Sequence, residues 1–353
     1  MIIRGIGMKR IGKLGLQACM VVVILFSFSL AACGVSTSSG IGDEQTGVPF
    51  LSDPQALSPV ELAEGELLRV VATTNIVADV VLNVGGAGIE LTTLLPVNAD
   101  PHAYEPTPQD LKAVSNAHVI FINGLGLETF LEEMLKNTGS GVPVISLSEG
   151  MDVLTFEEGL EHQDAVSDEP EEGHDHGVFD PHVWFDPTNV MAWAERVADT
   201  LTILDPGDSL LYETNAEAYH KQLQDLDEWI FTRTSSLSAE DRKLVTDHRV
   251  FDYFARRYGF DVVGAVIPVY SSAAEPSAQE IAALQLKVQE LEVKVLFVGM
   301  TVNPKVVHAV VEDTGIEMIP LYTGSLSDSQ GPAASYIDFM KFNVNSIVDA
   351  LLQ

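Results

Sequence analysis

Leu68-Arg69-Val70-Val71-Ala72-Thr73 is a short run of mostly apolar, partly β-branched residues, and the chain changes period after it. Residues 76–82 carry apolar side chains at helical spacing, and residues 89–95 return to an apolar run. A strand, a helix and a second strand in that order argue for a parallel pair joined by a helical crossover, with both strand faces covered. The rhythm continues outward from this unit. Residues 107–115 read as a helix opening on Thr107-Pro108, a capping hydroxyl followed by proline in the first turn. Residues 118–123, 128–136 and 143–147 read as strand, helix and strand. A later stretch repeats the pattern, with strands at 243–246, 262–266, 295–298 and 317–321 and helices at 251–258, 277–291, 304–313 and 336–352. Ser277 with Glu280 three residues on gives one of these helices a capping box.

Between the two stretches, helical patterns over 189–203 and 209–233 are interrupted by Asp205-Pro206-Gly207. The second would span roughly 35–40 Å, enough to bridge two lobes. The expected fold class is therefore α/β: two similar parallel-sheet lobes joined by one long helix. The expected division is an N-terminal lobe over 67–205, a linking helix over 206–236 and a C-terminal lobe over 237–353. Residues 151–180 interrupt the first lobe with a dense acidic segment that also holds His162, His174 and His176, and its low apolar content predicts a mobile loop.

The N-terminus reads as a targeting segment. Arg4, Lys9, Arg10 and Lys13 precede an apolar run from Met20 to Leu30, and Leu30-Ala31-Ala32-Cys33 follows. A basic start, a short apolar stretch and small residues before a cut define a secretory signal over residues 1–32. The run is too short for an ordinary spanning helix. A cysteine placed directly after Leu-Ala-Ala resembles the bacterial lipoprotein signal, which implies lipidation at Cys33 and an extracytoplasmic, membrane-anchored chain. Residues 33–66, rich in Gly, Ser and Thr at their start, read as a flexible tether. Cys19 and Cys33 are the two cysteines, so the exported part offers no thiolate to a metal and no internal disulfide. A formal charge of −32 disfavours nucleic acid and attracts cations.

Three histidines stand out against this frame. His102 lies in Asp100-Pro101-His102-Ala103-Tyr104-Glu105-Pro106, His182 in Asp180-Pro181-His182-Val183-Trp184-Phe185-Asp186, and His248 in Thr246-Asp247-His248-Arg249. Neutral imidazole is the commonest protein ligand for transition metals, and nearby carboxylates orient such rings. All three follow expected strands, where open α/β sheets bind ligands. A lone loop histidine is usually an ordinary surface residue; two matched Asp-Pro-His segments and a third histidine at a strand end point to one metal site. His162, His174 and His176 read equally well as auxiliary metal capture or as incidental loop histidines. His118, His220 and His308 fall within expected strands or helices and read as structural. The chain has no His-Glu-x-x-His pair, no Gly-x-Ser-x-Gly turn and no phosphate-cradling Gly-x-x-x-x-Gly-Lys loop.

These segments, together with Phe251-Asp252-Tyr253-Phe254-Ala255-Arg256-Arg257-Tyr258-Gly259, Glu275-Pro276-Ser277 and Asn303-Pro304, resemble the zinc- and manganese-binding solute-binding lipoproteins of bacterial ABC importers. The resemblance runs from about residue 67 to the end. It implies two α/β lobes joined by a long helix, with a metal ion held between them by residues matching His102, His182 and His248. A histidine at the third position implies zinc, since imidazole suits Zn²⁺ and carboxylate suits Mn²⁺. At the fourth position Gly324 stands where several members carry an acid. Asp328 is the nearest carboxylate, leaving three histidines plus Asp328, or three histidines plus water. Met300 stands where relatives often have Glu.

The resulting expectation is a monomeric carrier that captures Zn²⁺, with Mn²⁺ or Fe²⁺ as the alternative cargo, and delivers it to an ABC importer permease. A surface adhesin role is compatible with this. A rival reading is a zinc hydrolase exploiting an open fourth position, with Glu105 or Asp247 as base.

Overall fold

In the computed structural model, which describes residues 57–138, 141–155, 179–302, 307, 310–312 and 314–353, the alternating pattern becomes two four-stranded sheets. The first contains β1 (Leu68–Ala72), β2 (Ile89–Thr93), β3 (Val119–Ile122) and β4 (Val144–Ser146), in the order β2-β1-β3-β4. The second contains β5 (Lys243–His248), β6 (Asp261–Ile267), β7 (Val295–Gly299) and β8 (Glu317–Leu321), in the equivalent order β6-β5-β7-β8. Every pairing is parallel; Val70 sits opposite both Leu91 and Val119, and Thr246 sits opposite Phe297. In each sheet the strand order reverses beside the first strand, which places a ligand-accepting crevice at the carboxyl ends of β1 and β3 and of β5 and β7.

Side-chain caps start the helices where the sequence motifs stand. Thr74 accepts from the Val77 N–H at the start of α1 (Asn75–Gly85), and Thr107 and Asp110 form a capping box on α2 (Pro108–Asn116). After α3 (Thr129–Thr138), Asp186 caps α4 (Pro187–Leu204) through the Thr188 N–H. A 3₁₀ turn over Pro206–Asp208 then separates α4 from α5 (Ser209–Thr234), a helix of 26 residues and about 39 Å. Gly259, with φ of 72°, ends α6 (Asp252–Tyr258) in the left-handed conformation that a side chain disfavours. Ser277 with Glu280 caps α7 (Ala278–Glu290), and Ser335 caps α8 (Tyr336–Leu351).

Three apolar clusters hold these elements together. The largest runs from Val70 and Ala72 of β1 through Val77 and Val80 of α1, Trp193 and Val197 of α4 and Tyr219 and Leu223 of α5 to Phe297 of β7 and Phe339 of α8. A second packs Val71, Ile120 and Ile122 against Val114 and Leu131 on the other face of the first sheet. A third packs Val245, Val263 and Leu296 against Leu284 and Val310 on the other face of the second. Both faces of each sheet are thus covered, which explains why the strands read as unbroken apolar runs.

Two sequence expectations change. Residues 57–66, assigned by composition to the tether, lie against the fold: Leu57, Val60 and Leu62 pack on the largest cluster, and the Val60 N–H donates to the Leu204 carbonyl at 2.8 Å. Their three apolar side chains outweigh the acidic residues between them. Strand β5 also continues two residues beyond the apolar run, so His248 is its last residue. The acidic segment over 156–178 and most of the expected helix over 304–313 lie outside the described residues. Among the described residues, no helix is long and apolar enough to cross a membrane.

Candidate metal centre

His102 and His182 reach the site through the same local device. In Asp100-Pro101-His102 the Asp100 Oδ1 accepts the His102 N–H at 3.0 Å, and in Asp180-Pro181-His182 the Asp180 Oδ1 accepts the His182 N–H at 2.9 Å. An aspartate bonding two residues ahead across a proline makes a compact turn. The two turns then diverge. Asp180 Oδ1 also meets the His182 ring at Nδ1, 2.8 Å away, whereas Asp100 turns its Oδ2 to the Ser272 hydroxyl at 2.7 Å. His248 needs no turn because it ends a strand. Its own neighbour, Asp247, accepts the His248 N–H at 2.8 Å and meets the ring Nδ1 at 3.0 Å. The other oxygen of Asp247 accepts the Gly299 N–H at 2.8 Å, tying β5 to β7.

The three rings converge. Their centroids lie 5.3 Å apart for His102 and His182, 5.7 Å for His102 and His248, and 5.2 Å for His182 and His248. His102 Nε2 and His182 Nε2 are 3.2 Å apart, and one ligating nitrogen from each ring falls within 4.8 Å of the others. With Nδ1 of His182 and of His248 engaged by carboxylates, Nε2 is the atom each presents to the site. This is the carboxylate–histidine–metal arrangement that fixes ring orientation and raises ligand basicity. Asp180, His182, Asp247 and His248 are all buried, while His102 is half-buried and forms the solvent side.

The electrostatics suit a cation. Burial, reinforced by the neighbouring histidines, holds the His102 and His182 rings well below the usual imidazole range. For His248 burial acts in the same sense, but the charge and hydrogen bond of Asp247, with Asp100 and Asp180 beyond, outweigh it and push the ring upward. Burial pushes Asp180 up to about 7, against the His182 N–H and the Arg249 charge, and its Oδ2 has no hydrogen-bond partner among the described residues. A divalent ion on His182 would supply the positive field this carboxylate lacks.

The surroundings include residues that local sequence patterns did not single out. Ser272, Thr301 and Thr323 line the cavity beside the histidines together with Asp100, Pro101 and Gly324. The Trp184 indole donates to the Thr323 carbonyl at 3.1 Å, linking the His182 segment to the loop after β8. Buried Glu128 accepts from Thr73 Oγ1 and from the N–H groups of Asn123 and Gly124, and Asn123 Nδ2 donates to the Pro181 carbonyl at 3.0 Å. The Trp184–Thr323, Thr73–Glu128 and Asn123–Pro181 contacts join residues far apart in the chain. The repeated Asp-Pro-His motif was a local signal; nothing in the sequence marked Ser272 or Asn123.

Asp328 does not join the site. It is exposed, its carboxylate accepts the Gln330 N–H at 2.9 Å, and it does not line the cavity. The Gly331 N–H closes on the Asp328 carbonyl at 3.0 Å, and this tight turn faces the residue outward. Cys33, His162, His174 and His176 lie outside the described residues. Of the two bases considered for hydrolysis, Glu105 is exposed, and both oxygens of Asp247 are engaged by His248 and Gly299.

Comparison with known proteins identifies the family. Residues 70–350 match the ZnuA family model, described as zinc-uptake complex component A, periplasmic. The manganese-binding lipoprotein MntA of Halalkalibacterium halodurans is 34% identical over 331 residues, covering 94% of this chain and 99% of that protein. The manganese ABC transporter substrate-binding lipoprotein PsaA of Streptococcus mitis is 31% identical over 298 residues, covering 82% of this chain and 91% of that protein. Among solved structures, the periplasmic zinc-binding protein TroA from Treponema pallidum superposes with a TM-score of 0.69 at 30% identity, covering 80% of this chain and 98% of TroA. These relatives are transport proteins, and the hydrolase reading falls with that finding. A two-sheet α/β fold, histidines gathered at the strand ends and a family match across nearly all described residues place this chain in the ZnuA family, among the metal-binding substrate-binding proteins of ABC importers.

Proposed function

We propose that the protein captures Zn²⁺ through His102, His182 and His248 and delivers it to the permease of an ABC importer. The observation that carries this reading is the convergence of three imidazoles, two of them backed by buried carboxylates, with no thiolate beside them among the described residues. Imidazole nitrogen suits zinc, whereas manganese favours oxygen donors. In the same reading, residues 1–32 are a cleaved signal, Cys33 carries the lipid, and a tether links it to two lobes, 67–205 and 237–353, joined by a helix within 206–236. The carrier then works outside the cytoplasm as a membrane-anchored monomer.

Manganese is the second reading. It is favoured by the names of MntA and PsaA and by the Asp100 carboxylate lining the cavity. A competition titration separates the two. Metal-stripped protein should take up one tight equivalent of Zn²⁺ that excess Mn²⁺ does not displace. Preference for Mn²⁺ would overturn the zinc assignment, and tight binding of neither ion would overturn the carrier reading. His248→Ala should weaken Zn²⁺ binding by at least about a hundredfold, because it removes a ligand together with its oriented carboxylate. Unchanged affinity would refute the assignment of His248.

A further inference from the structure

The two Asp-Pro-His turns share a local shape but are fastened differently. Asp100 is tied through its carboxylate to Ser272. The second turn is held by its backbone, and each backbone group is claimed by a different part of the fold. The Asp180 N–H donates to the Leu154 carbonyl at 2.9 Å, next to an antiparallel bridge between Thr155 and Phe179. The Asp180 carbonyl accepts the Tyr253 hydroxyl at 3.1 Å, and the Pro181 carbonyl accepts Asn123 Nδ2 at 3.0 Å. Proline has no N–H, so every backbone polar group of Asp180 and Pro181 is engaged.

The two side chains that reach this turn are buried and are themselves fixed. Asn123 stands at the carboxyl end of β3, and its N–H, the Gly124 N–H and Thr73 Oγ1 all donate to the carboxylate of buried Glu128. Tyr253 approaches from α6, in the half of the chain that carries the second sheet. Its hydroxyl also accepts the Leu154 N–H at 2.9 Å, so one oxygen ties together two segments that already bond to each other. The Arg256 guanidinium lies over the Tyr253 ring, 5.3 Å from its centroid. What the turn carries is the aim of a ligand. Asp180 Oδ1 accepts from both the His182 N–H and the ring Nδ1, so the direction of Nε2 follows from where the Asp180 backbone is placed. Resting on the metal-carrier reading above, we propose that Asn123 and Tyr253 are positioning residues for metal capture. Reaching in from the two halves of the chain, they fix the Asp180-Pro181 backbone. Through Asp180 they hold the His182 ring in the tautomer and orientation that present Nε2 to the ion. His182 is thus ordered when the protein folds rather than when the ion arrives, which lowers the cost of binding.

The test uses the metal-stripped full chain in detergent, with Tyr253→Phe and Asn123→Ala as separate variants. Tyr253→Phe keeps the ring and removes only the hydroxyl; Asn123→Ala removes the amide. Circular dichroism verifies folding, and chelator competition gives the Zn²⁺ affinity. Each variant should bind Zn²⁺ about tenfold more weakly. Should one fail to fold, the other carries the test, because they act on neighbouring carbonyls. A purely structural role would lower stability too, so the discriminating readout is His182 itself. In a His182→Ala background, either substitution should cost no further affinity, because the ligand it positions is gone. Nitrogen NMR of the histidine rings in the metal-stripped protein gives an independent measure. His182 should show a single tautomer in the unmodified chain and a mixture in the variants, with His102 unchanged. Unchanged affinity with a single His182 tautomer in the folded variants would overturn the inference, and so would an equal loss of affinity with and without His182. Tight Zn²⁺ binding by the unmodified protein keeps the carrier reading intact in both cases; its failure to bind Zn²⁺ would overturn both.

Discussion

At the scale of single residues, His248 differs from its two partners in how a proton competes with a metal. Burial keeps His102 and His182 neutral well below the usual imidazole range, so they remain available as ligands in mild acid. His248 is buried too, but Asp247, supported by Asp100 and Asp180, raises its proton affinity. As pH falls, His248 is therefore protonated first, and a protonated ring cannot ligate. Zn²⁺ affinity should therefore begin to decline at a higher pH than an ordinary histidine would set, by up to about tenfold per pH unit for one competing proton. Asp247→Asn, which removes the stabilising charge, should move the onset to lower pH. Chelator-competition titrations between about pH 8 and about pH 5 would measure this; an affinity flat across that range would contradict a three-histidine site. The histidines themselves were legible because the Asp-Pro-His turn is local, with the bonding atoms two residues apart. Ser272 on Asp100 and Pro101 on Gly324 were not, because those pairs meet only once the two sheets are assembled.

At the scale of elements, the half-buried carboxylate of Asp79 joins three helices. It lies on α1, accepts the Tyr336 N–H of α8 at 3.1 Å and meets the Tyr219 hydroxyl of α5 at 3.3 Å. Burial, the dominant influence, pushes Asp79 up to about 6 against these hydrogen bonds. A carboxyl raised in the folded state binds protons more readily there than in the unfolded chain. Its contribution to stability is therefore full below the ordinary aspartate range and is lost as pH rises through about 6. Asp79→Asn keeps the acceptor and removes the ionisation. Relative to the unmodified protein, the variant should gain on the order of 1–3 kcal/mol between about pH 4 and about pH 7. Denaturant unfolding at both ends of that window would check this, and a difference independent of pH would refute it. The helices themselves were readable from caps and period: Thr107, Ser277 and the interruption at Asp205-Pro206-Gly207 mark real boundaries. The packing of residues 57–66 was hidden because Leu57, Val60 and Leu62 form no periodic pattern and find their surface on α4 and the core behind it.

At the scale of the whole molecule, the question is how far the two sheets can move apart to admit and release the ion. A long helix alone would permit a gentle bend. The core restricts motion further, because the largest apolar cluster passes without a break from the first sheet to the second. Phe185, within the His182 segment, packs on Phe251 with ring centroids 4.4 Å apart and on Phe339 at 5.5 Å. Nearby, the Tyr336 hydroxyl donates to the Trp184 carbonyl at 2.7 Å. Separating Phe185 from both partners would expose buried rings at roughly 1.5–3 kcal/mol each. An ion bound at nanomolar affinity contributes about 12 kcal/mol in total, so opening a wide hinge would consume much of it. Release is therefore expected to proceed through small shifts at the rim, where half-buried His102 and Asp100 face solvent, while Phe185, Phe251 and Phe339 stay in contact. Solution scattering of metal-stripped and Zn²⁺-loaded protein should give nearly superimposable curves, and crystal structures of the two states should differ by a tilt of a few degrees, with the aromatic contacts retained. A domain rotation that parts Phe185 from Phe251 would show that the shared core does not govern the motion, and the explanation for metal release would then have to move from the rim to the linking helix.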